Sequence, residues 1–206
     1  MTITDPKYIE FEAKFYPVDK VRFREKLKRI GAKLLIPERK MVRLVADWRD
    51  NPVLSNKDCV RVRNEGDLIR LSFKSFAENA KEVTDQKEIE TEVKDFDATV
   101  KILEKTGLKF NRKQVTLREE WDYKGTQITI DTWPGLLSFT EIEGTSEESV
   151  KDLSSVLGFD WNEKLIMPAS GLYAKVYGIN EEEALRKISN ISFDIIPFKD
   201  KKKVWP

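Results

Sequence analysis

Ile9-Glu10-Phe11-Glu12-Ala13-Lys14-Phe15 alternates apolar and charged residues, and a period of two is the signature of a half-buried β-strand. Ile9, Phe11, Ala13 and Phe15 fall on one face, and Glu10, Glu12 and Lys14 on the other. Carboxylates two residues apart on a strand stand roughly 7 Å from each other and repel by about 2 kcal/mol at an effective dielectric of about 20. A strand carrying such a pair either faces open water or holds a cation. The same device returns in Glu141-Ile142-Glu143, and the repetition favours the cation.

Other segments carry the same alternation. Arg61 and Arg63 oppose Val60 and Val62; Arg70, Ser72 and Lys74 oppose Leu71 and Phe73. Glu88, Glu90 and Glu92 alternate with Ile89, Thr91 and Val93, while Thr129 and Asp131 oppose Ile128 and Ile130. Strands are expected over 40–48, 59–63, 68–76, 88–93, 115–123, 126–133 and 136–144. Asn64-Glu65-Gly66-Asp67 and Lys124-Gly125 supply hairpin turns, and residues 50–58, with Asn51-Pro52 and Asn56, read as a loop. Helical spacing appears over 18–30, 95–106 and 145–157, with short helices over 169–177 and 181–188, and glycines close several of them. Few strand pairs are separated by a helical crossover, so the sheet is expected to be mainly antiparallel. The segment 191–206 combines an apolar run with a lysine cluster and reads as an edge strand and tail.

Composition narrows the chemistry. With 206 residues the chain can bury a substantial core. A net charge of +1 from 37 basic and 36 acidic residues points neither to nucleic acid nor to a membrane surface. The single cysteine, Cys59, excludes an internal disulfide and suits a reducing compartment. No apolar run of about 18 residues and no signal-peptide pattern is present, so a soluble cytoplasmic protein is expected. The chain has no histidine, which removes Ser-His and Cys-His nucleophiles and most zinc sites. Any metal would be held by carboxylate oxygens, which favours Mg²⁺ or Mn²⁺.

An ordinary solvated face intersperses both signs of charge. Here the charges segregate by strand into doublets of one sign. A sheet curled with these faces inward has acidic and basic walls, and such a lumen is costly unless it is compensated. A triphosphate with divalent cations compensates both walls at once. No G-x-x-x-x-G-K-[ST] or G-x-G-x-x-G loop occurs, so side chains would have to hold the phosphates.

Glu10-x-Glu12-x-Lys14 resembles the E-x-E-x-K signature of the CYTH superfamily, the triphosphate tunnel metalloenzymes. Arg61-x-Arg63, Lys74, Glu88-x-Glu90, Arg118 and the pair Asp131 with Glu141-x-Glu143 follow in that family's order, over residues 7–178. The resemblance implies an α+β protein built on an eight-stranded antiparallel β-barrel, the triphosphate tunnel, with flanking helices. Residues 1–178 would form this domain and 179–206 an appended helix and tail. It further implies Glu10, Glu12, Glu90, Asp131, Glu141 and Glu143 as metal ligands for Mg²⁺ or Mn²⁺. Lys14, Arg61, Arg63, Lys74 and Arg118 would bind substrate, with Lys14 and Glu12 catalytic. One departure stands out: where many members carry a basic residue two positions before Arg118, this chain has Thr116, with Lys113 nearby. The strand containing Arg43 and Asp47 is also less regular than the family pattern.

The expected activity is metal-dependent hydrolysis of inorganic triphosphate or an organic triphosphate. An adenylate cyclase making cyclic AMP and pyrophosphate from ATP shares the same tunnel, and a non-catalytic polyphosphate- or nucleotide-binding module is the third reading. The expected partner is the triphosphate or nucleoside triphosphate itself, with no nucleic acid or membrane; homodimerisation stays open.

Overall fold

The computed structural model of the protein describes residues 5–55, 57–77 and 80–206; Asn56, read above as loop, lies outside them. The strands are β1 (Phe11–Phe15), β2 (Lys33–Asp47), β3 (Cys59–Asn64), β4 (Ile69–Phe76), β5 (Gln86–Glu92), β6 (Arg112–Tyr123), β7 (Thr126–Thr132), β8 (Phe139–Gly144) and β9 (Asn190–Ile191). The helices are α1 (Lys20–Ile30), α2 (Phe96–Lys105), α3 (Glu147–Val156), α4 (Ala169–Tyr177) and α5 (Glu181–Lys187).

Eight strands form one curled antiparallel sheet in the order β1-β8-β7-β6-β2-β3-β4-β5. The free edge of β1 is taken up at both ends. Glu10 donates its N–H to the Gln86 carbonyl (3.1 Å), and Ile9 bridges Lys87, so β1 meets β5 there. Further along, Lys14 and Leu165 exchange backbone hydrogen bonds of 3.3 and 2.9 Å. β9 runs parallel to the start of β6, beyond the end of β7.

Turn chemistry places the hairpins. Lys124 and Gly125 both have positive φ (53° and 82°), the conformation of a tight primed turn, and Asp122 accepts the Gly125 N–H at 3.1 Å. Between β3 and β4 the Asn64 side chain accepts from Gly66 at 2.9 Å. Helices start on side-chain caps: Asp19 accepts from Val21 and Arg22 on α1, Asp95 from Ala98 on α2 and Ser146 from Ser149 on α3. Gly144 is required by a close approach, since a Cβ there would lie 2.3 Å from Ser149 Oγ at the start of α3.

The apolar faces of the strands point outward, under the helices. Ala13, Phe15, Ile128, Ile130 and Ile142 pack with Phe23 and Leu27 of α1 and Val150 and Leu153 of α3. A second cluster joins Trp133, Phe139 and Leu165 to Leu172, Tyr173 and Val176 of α4, with Ala184, Ile188 and Ile191 beyond. Trp205 closes its rim by stacking on Tyr16 at 5.1 Å. The tail is therefore docked against the body.

Three strands begin earlier than alternation predicts, β5 by two residues at Gln86 and β2 and β6 by more. β2 starts at Lys33, where Leu34-Leu35-Ile36-Pro37 breaks the period, and register shifts fall on either side of Ile36. Pro37 cannot donate to a ladder and is tolerated at such an irregularity; β3 pairs β2 only from Val42 onward. β6 starts at Arg112 because Gln114 ties it to the Ile188 carbonyl at 2.9 Å and Arg112 pairs with Asp47.

Ile142 is fully buried between β1, β7 and the helices. Ile142→Ala is expected to lower the unfolding free energy by about 3 kcal/mol in urea denaturation, while Val21→Ala, at a position 65% exposed on α1, changes it by no more than about 0.5 kcal/mol.

Candidate functional site

Cross-strand register assembles the interior. In the β1–β8 ladder Glu12 faces Glu143 and Lys14 faces Glu141; in β8–β7 Glu141 faces Thr129. Arg118 faces Asp131 across β6–β7. On the other wall Lys74 lies between Cys59 and Glu88, and Ser72 between Arg61 and Glu90. Directly opposite residues stand about 5 Å apart at Cβ, so charge pairing here follows from strand alignment. The faces enclose a cavity of about 910 Å³ lined by these charged groups except the fully buried Asp131, and by Arg43, Trp133 and Phe139.

Glu10, Glu12 and Glu143 form a group whose carboxylate oxygens lie within 4.8 Å of one another. At that separation two ionised carboxylates repel by roughly 3 kcal/mol at an effective dielectric of about 20. Burial, followed by the charges of Glu12, Glu88 and Glu143, raises the Glu10 carboxyl well above its ordinary range, though Lys74 opposes the shift. Glu143 opens onto the cavity yet is walled by protein. Burial and then Glu12 raise its pKa to about 7. An all-oxygen donor set of this charge suits a hard divalent cation, so these three residues could hold a metal.

The remaining carboxylates are tied to cations. Glu141 accepts from Lys14 (2.9 Å) and Arg118 (2.5 Å). Asp131, fully buried, accepts from Arg118 (2.9 Å) and the Thr129 hydroxyl (2.6 Å). Glu90 pairs with Arg70 at 2.5 Å and lies 3.8 and 3.7 Å from Arg61 and Arg63. Glu88 bridges Lys74 and Arg61, both at 2.9 Å. Burial would raise Glu88 and Glu141, but these cations hold both well below the usual carboxylate range. Among the six carboxylates singled out as metal ligands, the structure therefore brings three together and sets Asp131, Glu141 and Glu90 against arginine or lysine.

Five cations singled out by sequence line one cavity. Lys74 contacts Glu10 at 2.8 Å as well as Glu88. Lys14 is held by Glu141, by Glu12 at 3.4 Å, and by the Met167 carbonyl at 3.3 Å. Burial opposes the charged form of both lysines, but the surrounding carboxylates overcome it and raise both pKa values. Arg63 donates to Glu65 at 2.7 Å; burial, then Arg61 and Arg118, lower it to about 10.

Three participants were not identified from the sequence. Glu88 was legible as a strand-face residue, but its role between Lys74 and Arg61 depends on register. Glu65 sits in a segment that reads only as a turn, yet it is almost fully buried and anchors Arg63, Arg39 and Arg70. Arg43 lies in the irregular second strand and carried no motif.

In metal-free protein, a carboxyl whose pKa is raised on folding binds more protons in the folded state than in the unfolded one. Stability from Glu143 therefore falls as pH rises from about 4.5 to 7. Glu143→Gln is expected to flatten that fall in melting temperature and to weaken Mn²⁺ binding by about tenfold or more. Glu90→Gln should leave Mn²⁺ affinity unchanged. Titration of free Mn²⁺ by electron paramagnetic resonance reads both.

A CYTH domain family model matches residues 9–171. The fold is shared with solved structures at low identity. A candidate adenylate cyclase from Vibrio parahaemolyticus superposes with a TM-score of 0.67 at 13% identity, covering 81% of this chain and 98% of that one. A protein from Pyrococcus horikoshii gives 0.58 at 24% identity, with coverages of 80% and 97%. A candidate adenylyl cyclase from Hippeastrum, described as having a dominant triphosphatase activity, gives 0.53 at 17%, with coverages of 83% and 97%. No curated protein sequence matches significantly. No helix among the described residues is long and apolar enough to cross a membrane.

Proposed function

The chain belongs to the CYTH domain family, and from that premise we propose that it hydrolyses a triphosphate, inorganic or organic, with Mg²⁺ or Mn²⁺. The observation that carries this reading is the sharing of one cavity by a compact carboxylate group, Glu10, Glu12 and Glu143, and by Lys14, Arg61, Arg63, Lys74 and Arg118. One set fits a divalent cation and the other fits phosphate oxygens. The cavity volume of about 910 Å³ lies at the upper end of small-ligand sites, which leaves room for an organic group on the triphosphate.

The residues divide the work as follows. Arg61, Arg63, Lys74 and Arg118 neutralise the phosphate oxygens and hold the chain of phosphates in line. Glu10, Glu12 and Glu143 would hold the metal, which when bound supplies Lewis-acid polarisation and a water of lowered pKa. Lys14 stays an ammonium at neutral pH because Glu141 and Glu12 outweigh its burial. It therefore acts as a fixed donor that orients water or a phosphate oxygen, and it cannot serve as a general base. In the hydrolysis a water oxygen bonds to the terminal phosphorus and one anhydride P–O bond breaks. Orthophosphate leaves together with pyrophosphate from the inorganic substrate or the organic diphosphate from an organic one, the proton of the water passing to solvent or product. In the cyclase alternative the nucleophile is instead the ribose hydroxyl of ATP, which also requires a base pocket and a bent substrate.

The purified protein, incubated with tripolyphosphate, ATP or thiamine triphosphate and either metal, is expected to release orthophosphate. Cyclic AMP with pyrophosphate as the products from ATP would overturn hydrolysis in favour of cyclisation. Lys14→Ala should lower kcat by about 100-fold; full turnover in that variant would remove Lys14 from the mechanism. Tripolyphosphate binding without orthophosphate release under either metal, left unchanged by Glu141→Gln, would favour a binding module.

A further inference from the structure

The cations assigned above as phosphate ligands each rest against a carboxylate. Arg43 does not. It projects from β2 into the cavity, is 4% exposed, and has no carboxylate oxygen within 4 Å among the described residues. Its guanidinium is fixed from two sides: Nη2 donates to the Thr116 hydroxyl at 2.7 Å, and the Trp133 ring lies 4.8 Å from its central carbon. Its Nε is buried and has no hydrogen-bond partner. The charges facing it are of its own sign, from Arg61, Arg63 and Arg118, with Asp131 the opposing one.

A guanidinium keeps its proton in proteins, so this is a buried positive charge with donors to spare and no anion beside it. Such a charge is unfavourable in the ligand-free protein. The surrounding structure nevertheless holds it in place, with its donors on a cavity already walled by cations. A planar fork in this setting matches a phosphate group. We infer that Arg43 is a phosphate-binding residue, whose charge is compensated by the incoming substrate; this rests on the triphosphate reading above. Its tie to Thr116 also explains how β6 can carry a hydroxyl where the family resemblance expects a base. The cation is supplied from the neighbouring strand, through the ladder that sets Met41 opposite Thr116 and Arg43 opposite Gln114.

The test is calorimetric titration with inorganic tripolyphosphate in chelator, so that neither metal nor turnover enters, together with the melting temperature of ligand-free protein. Arg43→Met is expected to weaken tripolyphosphate binding by about 30-fold while the ligand-free melting temperature stays level or rises. Adding Thr116→Lys to Arg43→Met should restore most of the lost affinity, because the new ammonium ends in the space the guanidinium left. Arg43→Gln provides a second variant with the same expectation. A melting temperature that drops in both variants would mark Arg43 as a structural brace and overturn the inference. Unaltered affinity in either variant, with the wild type binding normally, would overturn Arg43's role and leave the triphosphate reading standing. Failure of the wild type to bind tripolyphosphate would overturn both.

Discussion

The ladder that joins β1 to β8 and β8 to β7 is the constraint on which the site depends. It sets Glu12 opposite Glu143 and Lys14 opposite Glu141, while alternate positions set Ala13, Ile142 and Ile128 in one row beneath α3. Side-chain period in a strand is two, so a slip of one residue would exchange the rows. Ile142 would enter the cavity, and the carboxylates would be buried under a helix. Apolar burial outside the barrel therefore fixes the positions of charges inside it. The grouping of these carboxylates and the placement of Lys14 are consequences of packing that touches neither.

Within that frame the interior is arranged as an exchange. Without ligand, Lys74 lies between Glu10 and Glu88, Lys14 between Glu12 and Glu141, and Arg118 between Asp131 and Glu141. These pairs offset much of the desolvation cost of burying so many charges. They also hold the cations rigidly, which would lower the ordering cost of binding the proposed triphosphate. Where pairing is incomplete the imbalance is local: three carboxyl groups crowd together at Glu10, Glu12 and Glu143, and a guanidinium lacks a neighbouring anion at Arg43.

The sheet and its charged interior were legible in the sequence because alternation is a local signal, and each strand carrying it declared which residues share a face. The acidic and basic doublets could thus be assigned to an interior before any register was known. Assignments that depend on which strand lies beside which were less legible. Glu90 and Glu88 have the same sequence signature, yet only Glu88 contacts Lys74, because register places Glu88 opposite it. The first residues of β2 were hidden by Pro37 and a run of apolar residues without alternation. Glu65 lay in an unremarkable turn. Arg43 was invisible for a related reason: a single arginine among apolar neighbours carries no pattern, and its meaning comes from Thr116 and Trp133, brought in by other strands.

The last third of the chain contributes to the site by bracing β1. Backbone bonds between Lys14 and Leu165, and the Met167 carbonyl accepting from the Lys14 ammonium, add to the hold that Glu12 and Glu141 have on this lysine. Leu165 in turn belongs to the cluster built by α4, α5 and β9, and the Tyr16–Trp205 stack ties the C-terminal residues to the end of β1. Loosening that cluster would free one side of Lys14 without altering any charged residue. Orientation of a fixed donor contributes to catalysis only while its position is held. The helices and tail beyond the barrel thus limit where a single ammonium can go, as the proposed role of Lys14 requires.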